Sequence, residues 1–196
     1  MQGHRVIKSL TRKGNVILGV GCYSAALKTS KENLILKIGT TLDDPWLDYY
    51  NLIIKDNKEN VFVPRIEHFV AIHEQNYYVV KMEKLYPVEM EQHNLISALA
   101  KYMIGNLSEA DLAYEIQSYS DNIPDFDQLI TLLNTIKDNS SWEDEEDTEI
   151  NRKIDFHNGN FMLREDKTLV VIDPWCEWEI EDDFSEWATK HLQWGE

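Results

Sequence analysis

Near the C-terminal end the chain reads Asp155-Phe156-His157-Asn158-Gly159-Asn160, and an apolar run, Leu169-Val170-Val171-Ile172, then ends on Asp173-Pro174. Two carboxylates and a carboxamide, each where a loop meets an extended segment, suit metal-assisted phosphoryl transfer. Asp155 would orient a hydroxyl nucleophile and accept its proton, while Asn160 and Asp173 would share a Mg²⁺ ion. No stronger nucleophile is needed, because that reaction depends on positioning and on neutralising charge. Each residue also has an ordinary role open to it: Asp155 as a turn cap, Asn158-Gly159 as a turn, Asp173-Pro174 as the end of a strand.

Two features upstream favour the chemical role. The stretch Leu18-Gly19-Val20-Gly21-Cys22-Tyr23-Ser24-Ala25-Ala26 lies between two predicted strands. Glycines at 19 and 21 let the backbone approach phosphates closely and turn its N–H groups inward, with Tyr23 as a cap. A plain hairpin turn accounts for the same residues taken alone. Lys37 follows in Leu34-Ile35-Leu36-Lys37-Ile38-Gly39, and a lysine in an apolar strand must end in solvent or meet an anion. Structural roles explain each feature singly; all of them in one chain would be a large coincidence.

These residues need elements to position them. Strand signals fall at 16–18, 24–27, 34–38, 65–72 and 77–82, with turns at 31–33 and 74–76, which predicts an antiparallel sheet of about five strands. One helix interrupts it, opening at Asp44-Pro45, an N-cap carboxylate before a proline at the first helical position, and running to about residue 55. After Met82 apolar residues recur at three and four, in Leu95, Leu99 and Met103 and in Phe126, Leu129, Ile130, Leu133 and Ile136, which predicts helices. A hairpin of 161–164 and 168–172 around Glu165-Asp166-Lys167 then presents Asp173. The expected architecture is α+β with two lobes, a sheet-rich lobe over 1–84 and a helical lobe over 85–196, and a ligand cleft between them.

Composition agrees with a folded chain: 43% of the 196 residues are apolar and 11% aromatic. No apolar run has the length of a membrane span or a signal peptide, so a cytoplasmic protein is expected. Cys22 and Cys176 lack metal-ligand spacing and are expected to be reduced thiols, and His4, His68, His73, His93 and His191 show no ligand spacing either. Trp175, Trp178, Trp187 and Trp194 are expected to pack the C-terminal segment onto the helical lobe. The net charge of −16 is uneven: residues 1–40 hold seven Lys/Arg against one acid, the remainder twelve against thirty-four. Such an acidic body does not suit nucleic-acid binding, which needs cations to release phosphate counterions. The acidic clusters at 143–149 and 177–186 are solvated segments or a docking surface for a basic partner.

In these motifs the sequence resembles the protein-kinase-like superfamily along nearly its whole length. Residues 18–26 look like the glycine-rich loop L-G-x-G-x-F-G-x-V, with Tyr23 for Phe, Ser24 for the third Gly and Ala26 for Val. Leu34-Ile35-Leu36-Lys37 resembles V-A-I-K, Asp155 and Asn160 keep the spacing of D-x-x-x-x-N, and Asp173 stands where the D-F-G aspartate belongs. The resemblance implies a minimal two-lobed kinase-like fold with one helix in the N-terminal sheet lobe, a reduced helical C-terminal lobe, and ATP and Mg²⁺ as cofactors. It implies catalytic roles for Lys37, Asp155 and Asn160, and nucleotide contacts from Gly19, Val20, Gly21, Cys22, Tyr23, Ser24 and Lys37. Lys81-Met82-Glu83-Lys84-Leu85 would be the hinge, with Glu83 and Leu85 reading adenine through the backbone, and Asn160 and Asp173 would be the metal ligands. Within the superfamily the pattern of Ser24-Ala25-Ala26 after the loop, a shortened lead into D-x-H-x-G-N, and Asp-Pro is most similar to the early serine/threonine kinases of lytic bacteriophages. That likeness implies an ATP:protein phosphotransferase acting on basic or host-derived protein substrates in the host cytoplasm.

The sequence also departs from the pattern. Lys153-Ile154 precede Asp155 in place of His-Arg, so switching through an activation-loop phosphate is not expected. No acid follows Lys37 at the usual distance. Asp48 is assigned as its partner over Asp43 and Asp44 because it lies past the helix cap. No Ala-Pro-Glu segment follows Asp173, so substrate must be held in another way. Two alternatives stay open: an aminoglycoside-type small-molecule phosphotransferase, which shares D-x-H-x-x-N, and a catalytically dead kinase fold used as an acidic binding or inhibitory module.

Overall fold

The computed structural model describes residues 2–140, 152–176 and 184–192. Its architecture is α+β. Strands β1 (Ile17–Val20), β2 (Ser24–Lys28), β3 (Leu34–Gly39), β4 (Ile66–Ile72) and β5 (Tyr77–Glu83) form one antiparallel sheet in the order β1-β2-β3-β5-β4. These are the five strands expected from the strand-like segments and the turn residues between them. Asn76 closes the turn into β5 with φ of 50°, a left-handed conformation that asparagine tolerates better than most residues. Among the described residues two compact units form, one of 2–47, 65–84 and 184–192, the other of 48–64, 85–140 and 152–176.

In the first unit, side chains alternate between the sheet's two faces. Ala25, Leu27, Ile38 and Tyr77 point to one face, where they share a core with Ile7 of α1 (Gln2–Arg12) and with Phe184, Ala188 and Leu192 at α6 (Phe184–His191). Helix α1 was not expected from the sequence, because its apolar stripe is only Val6, Ile7 and Leu10 in an otherwise polar segment. The same core corrects the expectation for Trp187. Its ring centroid lies 4.5 Å from that of His4 and 5.5 Å from that of Phe184, and Lys8 Nζ sits 5.9 Å from it. Trp187 therefore packs with α1 in the sheet unit, because Phe184 and Ala188, one turn apart on α6, need this core to bury them. Trp178, Trp194 and the acidic residues 143–149 and 177–183 lie outside the described residues.

Helix α2 (Pro45–Tyr49) starts as its sequence predicts: Asp44 Oδ1 accepts the Trp46 N–H at 2.9 Å, with Pro45 in the first helical position. It continues as a π-helical turn, Tyr50–Ile54, in which the Lys55 N–H donates to the Tyr50 carbonyl at 2.9 Å, so the helix ends where expected. The division between the units falls inside α2.

The second unit holds α3 (His93–Met103), α4 (Glu109–Glu115) and α5 (Phe126–Asp138), with Leu95, Leu99, Met103, Leu129, Leu133 and Ile136 buried. Helix α4 was missed because Leu112 alone of its residues is buried, which leaves no periodic stripe to read. Strand β6 (Tyr86–Pro87) joins β8 (Phe161–Leu163) and β9 (Leu169–Val171) in the order β6-β8-β9, while β7 (Lys153–Ile154) pairs with β10 (Trp175–Cys176). The β8–β9 hairpin is the expected one. Buried Arg164 just after β8 donates to the carbonyls of Val61 and Val63, fastening that loop to the hairpin. Among the described residues no helix is long and apolar enough to cross a membrane.

Candidate functional site

Asp155 stands just past β7, and its N–H donates to the Pro174 carbonyl at 2.9 Å; the Ile172 N–H donates to the Asn160 carbonyl, also at 2.9 Å. Asp173 lies between those two backbone bonds. The β7–β10 and β8–β9 pairings, Ile154 opposite Trp175 and Phe161 opposite Val171, continue them on either side. Local sheet geometry thus brings the three residues of the opening motif to adjacent backbone positions, although twelve residues separate Asn160 from Asp173.

The side chains follow from this frame. Asn160 Nδ2 donates to the Asp155 carbonyl at 2.8 Å and to Asp155 Oδ2 at 2.9 Å. With both amide protons so used, its Oδ1 is left as an acceptor with no protein partner among the described residues. Mg²⁺ favours such hard oxygens, takes few of them from the protein, and completes its shell with water and phosphate oxygens. Among the described residues no three His, Cys, Asp or Glu side chains gather into a metal cage. By the chemistry of their oxygens, Asn160 Oδ1 and the Asp173 carboxylate would suit a cation shared with phosphates.

His157 was not assigned a role from its spacing, yet it belongs to the site. The Gly159 N–H donates to His157 Nδ1 at 3.0 Å, and His157 Nε2 lies 3.3 Å from Asp155 Oδ2. If Nδ1 accepts, the neutral ring carries its proton on Nε2 and donates it to Asp155. A Cβ at Gly159 would stand 2.8 Å from His157 Cε1, so the imidazole would have to shift to admit one. Asp155 Oδ2 therefore has two donors. Oδ1 has no partner among the described residues, and the side chain is 35% exposed. Its open acceptor can take a hydroxyl.

Behind Asp173, fully buried Tyr49 donates to the Val171 carbonyl at 2.9 Å and lies edge-on to Trp175, with centroids 5.9 Å apart. Burial pushes the Tyr49 phenol well above its ordinary 10.0, and the charge of Asp173 pushes it further the same way. The raised value means that Tyr49's contribution to stability is complete below about pH 10; above it the unfolded chain loses this proton while the folded chain keeps it. Urea midpoints measured from about pH 9 to 11 should consequently fall more steeply for the wild type than for Tyr49→Phe; parallel curves would contradict the assignment.

Asp48, the acid assigned to Lys37 from the sequence, lies in the second unit beside Arg152. Its Oδ2 is 3.5 Å from Arg152 Nη1, and the Arg152 guanidinium lies over the Trp175 ring, 5.2 Å from its centroid. That platform holds Arg152 in place, and Asp48 meets it from the solvent side.

In the first unit the glycine-rich segment is a short hairpin. Gly19 and Val20 pair with Ala26 and Ala25 after a register shift, and the Gly21 N–H donates to the Ser24 carbonyl at 2.9 Å. A Cβ at Gly19 or Gly21 would have no neighbour within 4 Å, so the backbone there borders open space. The tip is pinned through its carbonyls: Cys22 accepts the Phe184 N–H at 2.7 Å, and Tyr23 accepts both the N–H (2.7 Å) and Oγ1 (2.9 Å) of Thr40. At the end of β5 the Glu83 N–H donates to the Arg65 carbonyl at 3.0 Å, and its carboxylate accepts the Arg65 N–H at 2.8 Å. The N–H of buried Leu85, which follows, has no acceptor among the described residues. Lys37 lies opposite Ala26 and Val80, on the face away from α1 and α6, with Nζ 4.4 Å from the centroid of the Trp46 ring.

No family model and no curated protein matches the chain. Among solved structures it is similar to the kinase PK-1 of the Cydia pomonella granulovirus, at 19% identity and a TM-score of 0.41, over 87% of this chain and 56% of that one. The chain spans little more than half the length of that kinase.

Proposed function

We propose that the chain is an ATP- and Mg²⁺-dependent phosphotransferase that passes the γ-phosphate to serine or threonine hydroxyls of other proteins. The observation that carries this assignment is the backbone-locked trio of Asp155, Asn160 and Asp173, in which Asp155 Oδ1 and Asn160 Oδ1 are both left as open acceptors. Asp155 receives the hydroxyl's hydrogen bond, orients the oxygen and takes its proton as the new O–P bond forms and the bond to the β,γ-bridging oxygen breaks. Asn160 and Asp173 hold the cation, which supplies neutralisation of phosphate charge. Lys37 and the backbone of residues 19–24 hold phosphate oxygens. The resemblance to phage early kinases favours proteins of a host cell as substrates and its cytoplasm as the place of action.

One observation favours a second acceptor class. The His157–Asp155 contact matches the D-x-H-x-x-N form of aminoglycoside-type kinases, which phosphorylate small molecules. Radiolabelled ATP offered with a bacterial lysate and, separately, with a panel of aminoglycosides and sugars distinguishes the two by where the label goes. The phosphotransferase assignment itself is tested by calorimetry. Mg²⁺ should strengthen ATP binding to the wild type, and Asp173→Ala should lose about tenfold or more of that strengthening while keeping metal-free affinity. If ATP does not bind at all, the acidic binding module becomes the better account.

A further inference from the structure

Lys37 raises a question that its strand position leaves open: what aims it. Three acids lie close in sequence, and each is committed elsewhere. Asp43 accepts from Thr41 Oγ1 at 3.0 Å, Asp44 accepts from Trp46 N at 2.9 Å and from the Tyr78 hydroxyl at 2.5 Å, and Asp48 lies against Arg152. Among the described residues Lys37 makes no ion pair. Its ammonium instead stands over the indole of Trp46, which is 1% exposed and cannot move aside.

That ring is held by a chain of contacts. Tyr78 stacks on Trp46 with centroids 5.5 Å apart and planes 10° from parallel, and its hydroxyl is fixed by buried Asp44. Tyr78 can lie there only because its strand partner is Gly39: a Cβ at position 39 would fall 1.8 Å from Tyr78 Cε1. Gly39, Tyr78, Asp44 and Trp46 thus form one rigid mount within the first unit. An aromatic face attracts an ammonium without supplying a counter-charge. A carboxylate would hold the lysine equally well but would offset much of its charge.

We infer that Trp46 is the positioning residue for Lys37, replacing a carboxylate partner with an aromatic one that leaves the ammonium's full charge for phosphate oxygens. The inference rests on the assignment of Lys37 to the nucleotide phosphates. Titration calorimetry with ATP and with adenosine, on the wild type, Trp46→Leu, Trp46→Phe, Lys37→Met and the Lys37→Met/Trp46→Leu pair, separates the two. Trp46→Leu should weaken ATP binding about 3- to 30-fold and adenosine binding by less than about twofold, with Trp46→Phe between it and the wild type. In the Lys37→Met background Trp46→Leu should add nothing.

Loss of ATP and adenosine affinity together in Trp46→Leu, or no loss of either, overturns the positioning role. If Lys37→Met leaves ATP affinity unchanged, the nucleotide assignment fails and the positioning role with it. If Lys37→Met weakens ATP binding but Trp46→Leu does not, the positioning role alone fails. A measurement on the intact protein guards against a Trp46 variant that does not fold. The Lys37 ε-CH₂ protons, identified by their disappearance in Lys37→Arg, should be shifted upfield by the indole ring current, and an unshifted resonance overturns the inference.

Discussion

Replacing Asp155 by asparagine should lower ATP-dependent phosphate transfer about 10²- to 10⁴-fold while leaving the fold in place. Asparagine has the same shape, and its carbonyl oxygen can still accept from Asn160 Nδ2 and His157 Nε2, the two donors that Asp155 Oδ2 serves. The amide NH₂ then falls where Oδ1 was. A group that accepted the substrate hydroxyl's proton now presents a donor to it, and general-base assistance is lost without any change of packing. Radiolabel transfer from ATP to lysate proteins measures the first effect, and the circular dichroism melting curve the second. Transfer within tenfold of the wild type would remove Asp155 from the mechanism; collapse of the melting transition would make its role structural.

The largest effect on folding is expected at Gly39. In Gly39→Ala the new methyl would stand 1.8 Å from Tyr78 Cε1 and 2.2 Å from Cζ, well inside any real carbon–carbon contact. Tyr78 is fully buried and bonded to Asp44, so the ring cannot rotate away without leaving a buried carboxylate oxygen short of its donor. Overpacking costs about 1–3 kcal/mol, and an unsatisfied buried acceptor about 1–3 more. A loss of about 3 kcal/mol or more is therefore expected in urea unfolding. Removing the obstacle supplies the control: Tyr78→Leu should cost far less in the Gly39→Ala background than in the wild type. Equal costs in both would show that the methyl is accommodated in some other way.

Much of this was open to reading from the chain. Short apolar, β-branched segments between turn residues located all five strands of the large sheet, and Asp44-Pro45 marked the start of α2, because both signals depend on neighbours in sequence. The spacing of Asp155, Asn160 and Asp173 was legible for the same reason, since a tight turn and a short hairpin bring them together. What the sequence did not show depended on distant partners. Asp48 meets Arg152, which a stacked Trp175 holds in place, and sequence distance carries no trace of that. Trp187 was placed on the helical lobe because it follows it in the chain, whereas its helix completes a core with α1. Two further signals stand in the sequence: the histidine in Asp155-Phe156-His157, and Trp46, two residues after the capping Asp44 and nine beyond a lone strand lysine.

The contribution of α6 to the sheet unit bears on the order in which the protein can be made. Phe184, Ala188 and Leu192 occupy the same core as Ile7 and Ile17, from which they are far removed in sequence. On the ribosome the sheet emerges early with one face lacking these three side chains, and closing a loop this long is entropically costly before its contacts form. The first unit then cannot finish its core until residues 184–192 have emerged, and the exposed apolar face is a candidate for chaperone capture in the interval. Because the Phe184 N–H also secures the Cys22 carbonyl, the glycine-rich turn would mature only after α6 has docked.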